Sequence, residues 1–433
     1  MIQVREYARL TTDKSVSESL DCGVVSDTTL DWLQELAASW KGSDPVAFID
    51  GHRSLKLGSH VGFLQSPTGE AIEILPKTRL GVEEPQEARK ILQRMLLASM
   101  GIKPRVAGSA SLLRKDEPLH EWIFSQFLTE LQLLAIRGLR LDYERVEEES
   151  RFIRGRLQVN LQQRQLPGKQ HLFHIEHDVF SANRIENRLL KSALDLLRSC
   201  CKSNESWRLA NELSHLLADI PAERAPVQNL DKWANNKLMQ SYEPVKPWCR
   251  LILENLNPNF QKGLHKGISL LLPMEVLFEK YVEASLSGAV VVGSRLKVQA
   301  SSLYLLSHQP EGAESSSNMF RLKPDLMLIS GQQRQVMDTK WKLLDQQASN
   351  TNDKYGISQS DLYQLFAYGH KYQNGSGHMM LIYPAHDGFT APLPRFSFSD
   401  DLMLWVVPFC LKAHALLDGE WQTGFTGFPS VSQ

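Results

Sequence analysis

The chain has 433 residues, 42% hydrophobic and 22% charged, an ordinary globular composition in a chain too long for one hydrophobic core. Its 26 glycines and 20 prolines exclude a fibrous or low-complexity protein. A formal net charge of -1 gives no global pull toward nucleic acid, so a nucleic-acid enzyme of this balance must gather cationic groups locally, hold a metal ion or borrow charge from a partner.

Residues 1–80 read as short strands. VAFID at 46–50, LKLG at 55–58 and VGFLQSPTGEAIEILP at 61–76 carry β-branched and aromatic residues, with a turn at SPTGE, 66–70. The period then changes. PQEARKILQRMLLASMG and EWIFSQFLTELQLLAIRG are predicted helices, stopped by Gly101 and Gly138 and joined by a link at 102–119. Strands return over 141–178, with Gly155 between basic neighbours and a Gln-rich turn ending in Pro167-Gly168. ANRIENRLLKSALDLLRSC and ESWRLANELSHLLADI are periodic helices, and NKLMQSYEPVKPWCRLILENL is helical around Pro244 and Pro247. A boundary is expected at PNFQKGLH, 258–265.

Past that boundary the pattern is α/β. LLPMEVLFEKYVEASLSG reads as a helix and VVVGSRLKVQASSLYLLS as strand material. MFRLKPDLMLIS and QQRQVMDTKWKLL form a strand pair turning at Gly331-Gln332. DLYQLFAYGHKYQ is a helix and HMMLIYP a strand. The expected organisation is a β-rich N-terminal module at 1–80, a mixed helical and strand region at 81–262 for partner docking, and an α/β domain at 263–433. The cysteines Cys22, Cys200, Cys201, Cys249 and Cys410 are scattered and read as reduced structural thiols. The start, MIQVREYARL, has no apolar signal core, and no 18-residue apolar run is present. LMLWVVPFCL at 402–411, broken by Pro408, reads as a buried element. The expectation is a cytoplasmic protein with no membrane association.

The chemistry concentrates in PD at 324–325 and DTK at 338–340. Asp325 and Asp338 are 13 positions apart, and a turn at 331–333 brings both carboxylates to one end of a hairpin. Lys340 shares a strand face with Asp338, while Thr339 is expected to point away. Two carboxylates suit a hard divalent cation, which polarises a phosphoryl group and lowers the pKa of bound water. A neighbouring lysine orients that water and offsets charge on the phosphorus centre. Glu279 in LFEKY is a further candidate ligand, with Glu275 one helical turn earlier as the alternative. Isolated PD and DxK matches are common by chance; their order, spacing and flanking apolar strands are what give these weight.

RLKPDLMLI at 321–329 and MDTKWK at 337–342 resemble the PD-(D/E)xK nuclease pattern, and the chain as a whole resembles the McrC family, nuclease subunits of McrBC modification-dependent restriction systems. LFEKY at 277–281 is similar to that fold's acidic helix, DLYQLFAYGHKY at 361–372 to the helix after the core, and LIYP at 381–384 to the next strand. Upstream, IEILPKT at 72–78, RFIRGRL at 151–157 and NRLLKSAL at 187–194 are also similar to family segments. The resemblance implies a restriction-endonuclease-like α/β core with Asp325, Asp338 and Glu279 as metal ligands for Mg²⁺ or Mn²⁺, and Lys340 beside them. Gln364, facing the same way as Tyr368, is implied to touch the DNA backbone or metal-bound water. It further implies an McrB-like AAA+ GTPase partner that binds GTP and moves double-stranded, methylcytosine-containing DNA, which this chain cuts. The chain has no GxxxxGK[ST] phosphate loop of its own.

Other features compete. Arg151, Arg154 and Arg156 flank Gly155 and offer forks for phosphate or a partner's nucleotide, or simply a solvated hairpin edge. His171, His174, His177 and Asp178 look like metal ligands, but spacing by three on a strand does not gather them. Lys77, Arg79, Arg89, Lys90 and Arg94 form a looser basic region, a solvated helix face in the simpler reading. Trp122, Phe124 and Phe127 read as core rather than base-stacking groups. Two rival functions stand beside the motor-coupled nuclease: a stand-alone PD-(D/E)xK nuclease, and a non-catalytic adaptor of a DNA-processing complex.

Overall fold

The computed structural model describes residues 1–40, 44–79, 84–102, 117–166, 168–257, 267–311, 315–350 and 352–428. Two compact units emerge: Met1–Asp116 with Leu271–Gln433, and Glu117–Leu270. The boundaries expected at 80/81 and within 258–265, most of the 102–119 link and the turn residue Pro167 lie outside the described residues.

The first unit opens with β1 (Ile2–Arg5), β2 (Arg9–Thr11), β3 (Cys22–Val24), α1 (Asp27–Ser39), β4 (Ala47–Ile49), β5 (Ser54–Leu57), β6 (His60–Gln65), β7 (Ala71–Leu75) and α2 (Pro85–Ser99). β6 and β7 form the expected hairpin, and β1 joins β7 in parallel. α1 corrects the all-strand reading of residues 1–80. Ser26 caps it by accepting from Thr29 N at 3.3 Å, and Leu30, Leu33 and Leu36 make a buried stripe at helical spacing. The basic region also needs correction at Arg89. This side chain is buried and grips Glu73 of β7 with two hydrogen bonds, Nε to Oε1 at 2.9 Å and Nη2 to Oε2 at 2.5 Å. It is an internal brace, not part of a solvated face.

The second unit contains α3 (Leu119–Arg137), β8 (Asp142–Ser150), β9 (Arg156–Leu157), β10 (Phe173–Ser181), α4 (Ile185–Arg198), α5 (Asn204–Leu216), α6 (Lys246–Asn255) and β11 (Leu256–Asn257). Gly138, at φ 91°, ends α3 as expected. Trp122, Phe124 and Phe127 are core, with Trp122 edge-on to Trp248 at 5.4 Å. β8 and β10 pair antiparallel along nine residues, from Asp142↔Ser181 to Ser150↔Phe173. The base of this long ribbon is pinned by Asn187 of α4. Its Nδ2 donates to Arg140 O and Ala182 O at 2.9 Å, and its Oδ1 accepts from the buried Tyr242 hydroxyl at 2.8 Å.

β12 (Ile268–Pro273) then leads into α7 (Met274–Ser287), so the Leu-Leu-Pro expected to begin that helix ends a strand instead. Pro273 fits the cap position, because its fixed φ and missing N–H cost nothing there. The rest of the first unit comprises β13 (Ser294–Val298), β14 (Tyr304–His308), β15 (Ser317–Arg321), β16 (Leu326–Ser330), β17 (Gln333–Thr339), α8 (Gln359–Gln373), β18 (Gly377–Pro384), β19 (Phe396–Ser397), β20 (Leu402–Cys410) and β21 (Ala415–Leu416). Among the described residues β14 and β15 pair as a separate two-stranded sheet, and the other strands build a mixed sheet in the order β13-β16-β17-β18-β20-β19, with β21 on β20; β17, β18 and β20 are parallel. Their apolar runs are buried on both faces, as parallel strands require, and the 402–411 run supplies β20, paired with β18 on one side. α8 covers one face through Leu365, Tyr368 and Tyr372. Among the described residues, no helix is long and apolar enough to cross a membrane.

Removing one partner of the buried Arg89–Glu73 pair strands the other charge. Arg89→Ala is expected to cost about 3–5 kcal/mol in urea unfolding, whereas replacing both residues by apolar ones of similar volume should cost far less.

Candidate active site

The β16–β17 hairpin sets the centre. Leu326 faces Met337 and Ser330 faces Gln333, leaving Gly331-Gln332 as a two-residue turn with Gly331 at φ 60°. Asp325 immediately precedes one strand and Asp338 follows Met337 on the other, so the register places both carboxylates at the open end. Asp338 is 1% exposed. Lys340 Nζ lies 2.7 Å from Asp338 Oδ2 and 3.5 Å from Gln364 Oε1, and Gln364 Nε2 donates to the Tyr368 hydroxyl at 2.7 Å.

Thr339 does not point away from the centre as expected. Its N–H and Oγ1 both donate to Asp325 Oδ2 at 2.7 Å. Pro324 ends the pairing on that side, and the Asp325 carboxylate takes the N–H that a longer β16 would have taken. Gln299 is a second group the sequence did not reveal. Its N–H donates to Asp325 O at 2.7 Å and its Nε2 to Glu279 Oε1 at 2.8 Å, tying α7 to the hairpin from a left-handed φ of 44°. Nothing in the local sequence marks a glutamine for that role.

The electrostatics are those of a dry, acid-rich centre. Burial, then the neighbouring Asp325 charge, pushes Asp338 up to about 7, with Lys340 partly opposing. Burial and then Asp325 also raise Glu279; burial and then Asp44 raise Glu275. Lys340 is depressed by burial, but the Asp338 and Asp325 carboxylates outweigh that and hold it above its ordinary value. Asp338 Oδ1 has no hydrogen-bond partner, and Oδ2 is ion-paired with the Lys340 ammonium at 2.7 Å. A buried carboxylate with one unpartnered oxygen among other acids is the environment a hard cation would relieve. Among the described residues, no three His, Cys, Asp or Glu side chains converge as a ready metal cage. Asp325 and Asp338 meet at the open end of the hairpin, and Glu279, which accepts from Gln299 Nε2, lies close enough for the Asp325 charge to act on it.

The other candidates fall elsewhere. Arg151, Arg154 and Arg156 are exposed on the bend between β8 and β9 in the second unit. Gly155 between them, at φ 67°, lies against the β10 backbone, where a Cβ would stand 2.4 Å from Glu176 O. His174 and His177 lie on β10, 3.9 Å and 4.0 Å from Glu149 and Glu148, and do not gather with His171 into a metal group. The adjacent Trp341 continues the centre into the N-terminal segment. Its ring packs on Phe278 and its Nε1 donates to the buried Glu6 Oε1 at 2.6 Å, which also accepts from Lys77 N.

Fold and site together define a mixed α/β protein carrying a paired-acid and lysine centre at the end of a β-hairpin. Residues 55–384 match the family described as McrBC 5-methylcytosine restriction system component, and the chain belongs to that family. It is 26% identical over 274 residues to the Escherichia coli K12 Type IV methyl-directed restriction enzyme EcoKMcrBC, covering 59% of this chain and 73% of that one. Its fold is similar to a chain in the solved half-complex from a tetradecameric assembly of Thermococcus gammatolerans McrB AAA+ hexamers with bound McrC. That match has a TM-score of 0.63 at 17% identity and covers 98% of each chain.

Glu6 supplies a pH test of how the N-terminal segment is held. Burial raises it from 4.5 to about 7, so the fold holds its proton more tightly than the unfolded chain does. Its contribution is full below about pH 4.5 and is lost as pH rises through about 7. Glu6→Gln keeps an acceptor for Trp341 without the charge. Its stability relative to the parent should climb by about 3 kcal/mol between pH 4 and pH 8, followed by denaturant titration at each pH.

Proposed function

We propose that this chain is the DNA-cutting subunit of a McrBC-type restriction complex. It is a Mg²⁺-dependent endodeoxyribonuclease with a PD-(D/E)xK core, acting on double-stranded, methylcytosine-containing DNA when coupled to an McrB-like AAA+ GTPase. The observation that carries this reading is Asp338: buried, raised to about 7, with an unpartnered oxygen beside Asp325 and Lys340. Such a carboxylate is destabilising for the fold and makes sense as a group held ready for a cation.

Asp325, Asp338 and Glu279 would hold the ion, and Mn²⁺ would serve in the same oxygen set. When bound, the cation supplies charge neutralisation at the phosphoryl group and activation of water. The residues do the rest. Thr339 fixes the rotamer of Asp325, Lys340 faces the phosphate oxygens and the attacking water, and Gln364, braced by Tyr368, orients the Lys340 ammonium. GTP belongs to the partner in this scheme, because the chain has no phosphate loop. The near-neutral charge of the chain fits a subunit that receives DNA from a motor instead of capturing it. The solved relative with McrB hexamers supports the choice of partner.

The ribbon of the second unit is proposed as the docking arm. Phe152 and Ile153 are 70% and 57% exposed at its bend, between Arg151 and Arg154, and Arg156 follows Gly155. Apolar side chains flanked by guanidinium forks are a pattern for a protein interface.

Cleavage should require the chain, the partner, GTP, Mg²⁺ and a methylated duplex together. Asp338→Asn should lower the rate by at least about a thousandfold while leaving complex formation intact. Full cutting by that variant would remove the site, and cutting by the single chain without nucleotide would sink the motor-coupled form. Replacing Arg151, Arg154 and Arg156 together by Ala should weaken partner binding in sedimentation or light scattering without altering the unfolding curve. Undiminished binding would move the docking surface elsewhere.

A further inference from the structure

A cavity of about 520 Å³ has Lys340 in its wall. Its walls join two distant stretches of the first unit. Glu6 and Tyr7 follow β1 and Lys77 follows β7, while Glu275 lies in the first turn of α7, Lys340 and Lys342 follow β17, and Asp361 lies in the first turn of α8. The volume lies within the range of about 300–1,000 Å³ that encloses a small-molecule-sized group such as one nucleotide.

Three features mark this cavity as more than a packing gap. Trp341 turns its ring inward onto Phe278, so Lys340 and Lys342 on either side of it both reach the cavity. Lys342 is exposed, and Lys77 is half-buried with its nearest carboxylate, Asp21, at 4.0 Å. Tyr7 stands at the rim, 41% exposed, with a left-handed φ of 62° that a bulky residue adopts only under constraint. Such strain persists where the surroundings impose it and is a known mark of ligand clamps.

Resting on the nuclease reading above, we infer that this cavity seats the nucleotide next to the scissile phosphate: Tyr7 stacks on its base, and Lys342 and Lys77 contact the neighbouring phosphates. A strand whose phosphate lies at Asp338 and Lys340 would pass Lys77 and Lys342 here, on a lining that alternates these lysines with Glu6, Glu275 and Asp361. Burial holds Glu6 near 7, which removes part of the negative charge that would otherwise oppose a phosphate there. The N-terminal segment is thus part of the substrate path. Tyr7, Lys77 and Lys342 are positioning residues and take no part in bond cleavage.

The test uses the complete complex with its motor partner and a methylated duplex, measuring KM, kcat and the salt dependence of each variant. Tyr7→Gly relieves the left-handed backbone, so it should unfold at higher denaturant than the parent and yet raise KM by about tenfold. Tyr7→Phe, which keeps the ring, should keep KM within about twofold. Lys342→Ala should raise KM and reduce the slope of log KM against log salt by about one, with kcat little changed. If Tyr7→Gly and Lys342→Ala leave KM and the salt slope at parental values while Asp338→Asn abolishes cutting, the strand path is overturned and the nuclease reading stands. If Asp338→Asn still cuts, it is the nuclease reading that fails.

Discussion

The pairing of β16 with β17 is the constraint on which the candidate centre depends. A two-residue turn at Gly331-Gln332 leaves no freedom in the register, because a slip of one residue would send every side chain of β17 to the opposite face. That register carries Asp325 and Asp338 to the same end, and the parallel pairing of β17 with β18 locks the second strand from its other edge. Thr339 then uses its own N–H and hydroxyl to hold Asp325, so the two acids and Lys340 are positioned by backbone geometry more than by side-chain choice.

The same geometry makes the centre costly for the fold. Asp338 is buried beside another carboxylate, and its Oδ1 is left without a hydrogen bond. Natural structures rarely keep such a group unless it has work to do. The surroundings compensate with rigidity. Phe278 and Trp341 pack together behind the lysine, Trp341 is anchored on Glu6, and α8 braces the sheet with the buried Tyr368 and Tyr372. Tyr372 donates to both Ala300 O and Leu322 O, which ties the segments entering β14 and β16 to one helix.

The second unit solves a different problem. Its helices bury an aromatic and leucine core, and that core anchors the long β8–β10 ribbon, with β9 along its edge, through the buried Asn187–Tyr242 pair. A ribbon alone is marginal in water, so its rigidity comes from its base. Its apolar bend is exposed, the observation behind the partner-facing role proposed for it.

The sequence by itself determined the local elements with strong periods, the hairpin turn and the pair Asp325–Asp338 with Lys340. Each of these depends on short-range geometry: a period of two or 3.6, a glycine at a turn, a count of residues between two acids. α1 escaped notice because its apolar stripe is short and sits among strands, although Ser26 and Thr29 carried a capping signal. Only the tertiary structure decided that Arg89 is an internal brace, that Thr339 and Gln299 fix Asp325, and that residues 6, 7 and 77 share a unit and a cavity with residues 340–343. Those relations join positions up to 335 residues apart, as in the Glu6–Trp341 hydrogen bond. They are absent from any local pattern, because contacts at such separation are set by how sheets and helices pack and by no periodicity along the chain.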